Sequence, residues 1–388
     1  MSDRRVELSE RRAALMLRAA VQRREVAREV AGLEARLQLT DHYLAIARRV
    51  LLHPVVIASA VVVIAVLGRG RAFRLLGRTV LLTRGIRGVL QSVRGRISRT
   101  VRERDRARLD AARLAHGGQC VQLSDGVTHY RLEGSPDALP LVLVHGATVP
   151  LWEFDFLVAE LVHEGVRTLR FDLYGHGLSD RPAVDYTLEL FVRQTLELLE
   201  AVDFPRPATI LGHSLGAAVA SAVAARQPNW VDRLVLVAPM LDFNATSAWS
   251  RLFRLPAAGE LAMSLFGVRA LVRRRRRRYA LIGQPQLADL FIEQVSFAGF
   301  GRALLSMIRA ETLGDQTPRY AALREIGLDV LLISGGADAV IPAADIARVR
   351  ALVGRHESLD LPSAAHNLLL THPAEVAAAL RAFCGVEG

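Results

Sequence analysis

The stretch "ILGHSLGAAV", residues 210–219, decides how the rest of the sequence is interpreted. Ser214 stands between Gly212 and Gly216, after an apolar run and before an alanine-rich one. Such a Gly-x-Ser-x-Gly pattern is either a strand-to-helix turn that needs small residues for close packing, or a nucleophile elbow that presents a serine hydroxyl on a strained turn. An elbow also needs a base, an acid and an oxyanion hole elsewhere in the chain, in a fixed order.

Short apolar runs on either side of this stretch alternate with helical patterns. The predicted strands span residues 139–146, 166–172, 208–213, 231–239, 328–336 and 356–362. The predicted helices between them span residues 152–163, 186–203, 214–227, 342–353 and 373–384, and a hairpin is expected to turn at Asp125-Gly126. Apolar strands with helices between them predict an α/β fold, with a mostly parallel sheet covered on both faces.

Residues 240–318 interrupt this alternation, because no buried strand is evident there, and we expect a helical cap inserted between two strands. The basic run Arg273–Arg278 lies in it and is either a solvated helix face or a contact for lipid phosphates. Large apolar residues in this region suit an apolar acyl chain or, equally, form the core of the cap: Leu252, Phe253, Met263, Phe266, Phe291, Phe297 and Phe300.

The candidate base and acid follow the last two predicted strands. In parallel sheets the chemistry collects at the carboxyl ends of the strands. His366 comes directly after the last strand and is the expected base, whereas His372 precedes a proline at a predicted helix start. Asp338, in a short glycine-rich loop after the preceding strand, is the expected acid, and Asp242 is the alternative. The order Ser214, Asp338, His366 is the one expected for this arrangement.

Two backbone N–H groups are the expected oxyanion donors. Leu215 opens the helix after Ser214, so its N–H points to where an oxyanion would form. Ala147, in the loop after the strand at 139–146, would supply the second donor.

Four motifs occur in order: "HG" at 145–146, "DLYGHGLSD" at 172–180, "GHSLG" at 212–216, and "GGADAVIP" at 335–342 followed by "AAHNLLLTHP" at 364–373. Through them, residues 119–386 resemble an α/β-hydrolase fold enzyme of the esterase and lipase superfamily. The resemblance implies Ser214 as nucleophile, Asp338 as acid, His366 as base, and Ala147 and Leu215 as oxyanion donors. It also implies scaffold roles for His145, Asp172, Gly175 and His176.

The function expected from this resemblance is hydrolysis of a carboxylic ester through an acyl-enzyme, without a metal or an organic cofactor. A monoacylglycerol- or lysophospholipid-like ester is the expected substrate. A serine at the elbow argues against dehalogenase and epoxide hydrolase relatives, which resemble this fold with an aspartate there. The alternatives are a carbon–carbon bond hydrolase of ring-cleavage products, an acyltransferase or perhydrolase, and a non-enzymatic membrane scaffold.

The net charge of +11 is unevenly distributed. Residues 1–116 contain 25 Arg and 10 acidic residues, whereas residues 117–388 contain 25 Arg and 29 acidic residues. The basic excess therefore belongs to the N-terminal segment. Two cysteines make no disulfide framework, which favours a reducing compartment.

Residues 1–100 are expected to form a basic, helical, membrane-associated segment, joined to the hydrolase domain by a linker at 101–118. The stretch 50–68 carries no charge, and its 19 residues would cover about 28 Å as a helix, so it either spans a bilayer or lies in it. Nine Arg follow between residues 69 and 99, interleaved with aliphatic residues, which favours an anionic membrane surface over nucleic acid. This layout resembles the YqjK-like family of small bacterial inner-membrane proteins. The positive-inside tendency then predicts a cytoplasmic catalytic domain at the bacterial inner membrane.

Overall fold

The computed structural model of this chain describes residues 105–256 and 258–386. The predicted basic segment 1–100, with its apolar stretch 50–68, lies outside these residues. Among the described residues, the model contains no helix with both the length and the apolar character that crossing a membrane requires.

One sheet forms the centre of the described chain. Its eight strands, in the described residues, are β1 Gln119–Leu123, β2 Gly126–Glu133, β3 Leu139–Val144, β4 Val166–Phe171, β5 Ala208–His213, β6 Val231–Val237, β7 Asp329–Gly335 and β8 Glu357–Leu361. They lie in the order β1-β2-β4-β3-β5-β6-β7-β8. The β1–β2 hairpin joins β4 antiparallel, and every pair from β4 to β8 is parallel. The mostly parallel sheet predicted from the sequence is confirmed.

Helices cover both faces of the sheet. Those between the strands are Asp155–Leu161, Leu188–Ala201, Leu215–Arg226 and Ala343–Val353, with short 3₁₀ turns at Leu151–Phe154, Val162–Glu164 and Pro228–Trp230. Two more helices, Leu368–Thr371 and Pro373–Cys384, follow β8. Side chains alternate along a strand, so Val142 and Val144 of β3 join one apolar cluster, and Leu141 and Leu143 join the other. Two apolar layers therefore fix the sheet, with the carboxyl ends of β3, β5 and β7 at one edge.

The chain between β6 and β7 is helical in its described part. Its helices are Phe243–Thr246, Ala248–Arg254, Ala258–Ala262, Val268–Leu281, Leu287–Ser296, Phe300–Arg309 and Thr317–Ile326, with a π-helical turn at Met263–Gly267. We call the part from Phe243 to Arg309 the cap, and Val268–Leu281 the arginine helix. Met263, Phe291 and Phe300 are buried in the main apolar cluster, whereas Phe266 is 64% exposed. Most of the large apolar cap residues therefore stabilise the cap itself.

The expected linker contains a helix, described from residue 105 to residue 116, that packs against the domain. Leu109 and Ala112 form a small buried cluster with Leu178 and Phe297 of the cap. Arg113 of the same helix donates hydrogen bonds to the Leu178 carbonyl and to Asp180 Oδ1, each at 2.8 Å. This part of the segment is thus integrated into the fold.

Candidate active site

Ser214 lies on a strained turn between β5 and the helix Leu215–Arg226. Its φ of 54° and ψ of −111° are a conformation that residues other than glycine rarely adopt. A Cβ atom at Gly212 would lie 2.2 Å from the Gly216 carbonyl oxygen, and one at Gly216 would lie 2.0 Å from the Val144 carbonyl oxygen. Both glycines are therefore required by backbone contact, and the turn has the geometry of a nucleophile elbow.

His366 and Asp338 form a hydrogen-bonded pair at the same edge of the sheet. His366 Nδ1 lies 2.8 Å from Asp338 Oδ2. The other carboxylate oxygen of Asp338 accepts the N–H groups of Val340 and Ile341, at 2.7 and 3.0 Å. Burial alone would raise the pKa of Asp338, but the hydrogen bond and charge of His366 and these two N–H groups lower it. The carboxylate form is thus stabilised where it orients the imidazole.

The His366 ring lies beside the elbow. Its centroid is 4.9 Å from that of His213, the residue directly before Ser214. His213 Nε2 also donates to the His366 carbonyl oxygen at 2.9 Å. Burial lowers the pKa of His366, only partly offset by Asp338, so the neutral imidazole that a general base needs is favoured.

A buried charge pair, His213 and Glu153, joins the loops of this site. His213 Nδ1 lies 3.2 Å from each carboxylate oxygen of Glu153, and Glu153 Oε1 also accepts the Gly146 N–H at 3.0 Å. Because a carboxylate and a carbonyl can only accept hydrogen bonds, the imidazolium form of His213, in which both ring nitrogens donate, satisfies both partners. Burial would lower the pKa of His213, but the charge and hydrogen bond of Glu153, the His366 carbonyl and the Asp338 charge together raise it.

The sequence pattern does not predict this pair. The available signal was a histidine next to Ser214 and an acidic residue, Glu153, in an otherwise apolar turn, Leu151–Phe154.

The loop after β3, which contains Ala147, packs against the elbow. A Cβ atom at Gly146 would lie 3.4 Å from Ser214 Cβ. His176 Nε2 donates to the Ala147 carbonyl oxygen at 2.9 Å, which fixes the loop from its other side. Leu215 is the first residue of its helix, so its N–H has no acceptor four residues earlier within that helix.

The residues expected to act as scaffold make buried hydrogen bonds that fix loops. His145 Nε2 accepts the Leu173 N–H at 2.8 Å. Asp172 accepts from His129 Nδ1 at 2.9 Å and from two backbone N–H groups, those of Leu151 and Leu178. Burial would raise the pKa of Asp172, but the hydrogen bond and charge of His129 lower it to about 2.

Gly175 and His176 lie in the loop that follows β4, which packs against the cap. Gly175 has a φ of 87°, and a Cβ atom there would lie 2.6 Å from Ala303 Cβ. Burial lowers the pKa of His176 to about 3, which favours its neutral form beside the Ala147 carbonyl.

The alternative acid and the alternative base are engaged elsewhere. Asp242 Oδ1 accepts the Ala245 N–H at 2.9 Å at the start of a cap helix. His372 lies 2.8 Å from Thr371 Oγ1 through Nδ1, and 3.3 Å from Ser363 Oγ through Nε2. Of the four candidates, the structure pairs Asp338 with His366.

No group of three or more His, Cys, Asp or Glu side chains in the described residues could hold a metal ion.

Comparisons with known proteins extend over most of this domain. Residues 141–379 match the model of the Alpha/beta hydrolase family. An uncharacterised protein of Mycobacterium tuberculosis is 29% identical over 193 residues, which cover 46% of this chain and 55% of that protein. The chain thus spans about half the length of this relative. A non-heme chloroperoxidase from Streptomyces lividans is 29% identical over 266 residues, or 65% of this chain and 94% of that enzyme. The crystal structure of a hydrolase from Pseudomonas aeruginosa PA01 has a TM-score of 0.54 and 25% identity, covering 69% of this chain and 98% of its own.

Proposed function

The chain belongs to the alpha/beta hydrolase family, and from that premise we propose that it is a serine hydrolase of carboxylic esters. Ser214 is the nucleophile, His366 the base and Asp338 the acid. The observation that carries this proposal is the 2.8 Å hydrogen bond between His366 Nδ1 and Asp338 Oδ2, made beside the strained Ser214 turn. With Nδ1 occupied by Asp338, Nε2 of the same ring is the nitrogen left for the serine hydroxyl.

The reaction has two halves. In the first, His366 Nε2 takes the proton of Ser214 as Oγ attacks the acyl carbonyl, and then gives that proton to the departing alcohol. Asp338 fixes the imidazole tautomer and stabilises the transient cation. In the second half, His366 activates a water molecule that attacks the acyl-enzyme, releases the carboxylic acid and returns the proton to Ser214.

The backbone N–H groups of Ala147 and Leu215 stabilise the tetrahedral oxyanion in both halves. A donor of this kind typically contributes about 3 kcal/mol to transition-state stabilisation. The packing of Gly146 against Ser214 supports this assignment, because it brings the Ala147 loop to the elbow.

The proposed substrate is a monoacylglycerol- or lysophospholipid-like ester, taken from an anionic membrane surface. In support, the cap and its neighbouring turns expose apolar side chains: Leu255, Leu261, Leu265, Phe266 and Leu281. Exposed arginines of the arginine helix lie on the same part of the chain. The basic segment 1–100, with the apolar stretch 50–68, would attach the domain to the cytoplasmic face of a bacterial inner membrane.

A second candidate function is perhydrolysis, favoured by the similarity to the non-heme chloroperoxidase. It would use the same acyl-enzyme on Ser214, with hydrogen peroxide in place of water as the attacking acceptor. Measuring peracid and carboxylic acid from one ester at increasing peroxide concentration separates the two activities.

The decisive test is covalent labelling of the full-length protein with a fluorophosphonate probe. We expect labelling of the wild type and none of Ser214→Ala. The same pair is then assayed on 4-nitrophenyl esters from acetate to palmitate and on monoacylglycerols with and without anionic vesicles. The proposal is wrong if Ser214→Ala labels or cleaves esters as the wild type does, or if the folded wild type does neither. The lipid assignment alone is wrong if only short soluble esters are cleaved.

A further inference from the structure

The arginine helix presents two different faces. Arg273, Arg274, Arg276 and Arg277 are exposed, whereas Arg275 and Arg278 are half-buried. Residues three apart lie on the same side of a helix, so the two half-buried guanidinium groups point the same way. Their hydrogen-bond partners show that this side faces the candidate active site.

Arg275 contacts the loop that carries the proposed oxyanion donor. Its Nη2 donates to Thr148 Oγ1 at 2.6 Å, and Thr148 directly follows Ala147. The guanidinium carbon also lies 5.7 Å from the centre of the Phe291 ring. Arg275 thus lies beside the Ala147 loop, and the two groups that it contacts there, Thr148 Oγ1 and the Phe291 ring, are both neutral.

Arg278 contacts the residue that follows the proposed base. Its Nε donates to Asn367 Oδ1 at 2.7 Å, and Asn367 is next to His366 in the chain. Asn367 is buried, and its Nδ2 is a buried donor without a hydrogen-bond partner among the described residues. Arg278 therefore lies beside the loop that carries the proposed base, next to an unused donor.

Neither arginine forms an ion pair with a carboxylate of residues 105–256 or 258–386. Other partly buried arginines do have such partners: Arg113 pairs with Asp180, and Arg170 pairs with Glu133. Removing a charge from water without a counter-charge is unfavourable, and buried polar donors are normally satisfied. The guanidinium groups of Arg275 and Arg278 and the amide of Asn367 lie beside the candidate active site. An anionic group of the substrate would supply the partner that these donors lack.

We propose that Arg275, Arg278 and Asn367 form a subsite for an anionic group of the substrate, either a carboxylate or a phosphate. This inference rests on the proposed ester hydrolase function and narrows it to esters that carry a negative charge near the scissile bond. Guanidinium groups suit both anions, because their planar array of donors matches two oxygens at once.

The test uses two pairs of esters, and within each pair one ester carries an anionic group that the other lacks. Mono-4-nitrophenyl adipate against 4-nitrophenyl hexanoate tests a carboxylate on the acyl side. 1-Octanoylglycerol 3-phosphate against 1-octanoylglycerol tests a phosphate on the alcohol side. In the wild type we expect kcat/KM for the anionic member of at least one pair to be higher by about tenfold, the range for a hydrogen bond to a charged group. Arg275→Gln and Arg278→Gln should each lower that ratio by about tenfold.

Matched controls are Arg274→Gln and Arg277→Gln, which remove the same charge from the exposed face of the same helix. With the esters in solution and no vesicles present, they should leave the ratio of anionic to neutral ester within about twofold, because exposed charges are screened. The inference is overturned if neither anionic ester is preferred by the wild type. It is equally overturned if the control variants lower the ratio as much as the half-buried ones do.

A binding measurement separates failure of this inference from failure of the proposed function. Adipate and inorganic phosphate are titrated into full-length Ser214→Ala protein while its Tm is followed. At least one anion should raise the Tm to a saturating value, and adding Arg275→Gln and Arg278→Gln should abolish the rise. If neither anion raises the Tm, the anion subsite is wrong even where esters are cleaved. If an anion binds but no ester is cleaved by the wild type, the hydrolase proposal fails instead.

Discussion

Replacing Glu153 with Gln tests the buried charge pair that joins the loops of the candidate site. The substitution removes the negative charge opposite His213 but keeps an amide oxygen that can accept the Gly146 N–H. His213 and Glu153 expose only 6% and 5% of their side chains, so solvent screens the pair little. We therefore expect a loss well above the value of a surface ion pair.

The expected magnitude depends on pH, because only the protonated His213 forms the full charge pair. Removing one partner of a buried ion pair typically costs about 3 kcal/mol or more of unfolding free energy. In the variant, His213 either loses its proton or keeps its charge without a counter-charge, and both outcomes lower stability, so we expect this loss at about pH 6. A hydrogen bond between neutral His213 and the carboxylate is worth less, so the loss should shrink to about 1 kcal/mol at about pH 9.

The sign follows from the direction of the pKa shift. Glu153 raises the pKa of His213 above its ordinary 6.5, so the stabilisation is fully present below pH 6.5 and is lost as the pH rises through the folded-state value. Without the Glu153 carboxylate, burial opposes the protonated form of His213 more effectively, so protonation stabilises the variant less than it stabilises the wild type. The difference in stability between wild type and variant should therefore fall steadily as the pH rises.

Denaturation with guanidinium chloride, followed by tryptophan fluorescence from about pH 6 to about pH 9, measures the difference in unfolding free energy between wild type and variant. Glu160→Gln is the matched control, since Glu160 follows closely in the chain and is exposed. It should lose less than about 0.5 kcal/mol at every pH. A difference for Glu153→Gln that is flat with pH, or that grows as the pH rises, would refute the charged pair.

The other predictions concern catalysis and the elbow. Asp338→Asn should lower kcat by about 10⁴-fold in steady-state assays, because the imidazole then takes the wrong tautomer; a loss below about tenfold would contradict its role as the acid. Gly216→Ala places a Cβ 2.0 Å from the Val144 carbonyl oxygen and should destabilise the fold by about 3 kcal/mol or more. Its control is Gly301→Ala, whose Cβ meets side-chain atoms at 3.3 Å or beyond. The control should change stability by less than about 1 kcal/mol in the same denaturation experiment. Since burial lowers the pKa of His366 below 6.5 and only its neutral form accepts a proton, kcat/KM should rise with pH to a plateau through an apparent pKa below 6.5. A midpoint above 7 in the measured profile would be inconsistent with this.

Much of the sheet could be predicted because its signal is local. The strand expected at 166–172 is Val166–Phe171, and the one expected at 208–213 is Ala208–His213. Their apolar runs are bounded by glycine, proline or charged residues, and a buried parallel strand needs little else to be recognised. Candidate catalytic residues could be proposed for a similar reason, since they directly follow strands whose ends share one edge of the sheet.

The contacts between distant residues could not be predicted in the same way. Glu153 and His213 are far apart in the chain, and they meet because β3 and β5 are neighbours in the assembled sheet. Arg275 and Arg278 lie in a run of six identical arginines, so the local sequence does not distinguish the two half-buried arginines from the exposed ones. The helix phase that separates them is set by packing of the cap, which a single sequence does not reveal.

The helix at 105–116 has a practical consequence for cutting this protein into pieces. Besides its buried contacts, Asp105 accepts the Ala298 N–H at 3.0 Å, and His116 Nε2 lies 2.6 Å from Glu293 Oε2. A fragment that begins at β1 would lack these contacts to the cap, and the ring of Phe297 would become exposed to solvent. Such a truncation should yield a less soluble, more easily proteolysed protein, so a soluble catalytic fragment has to retain this helix.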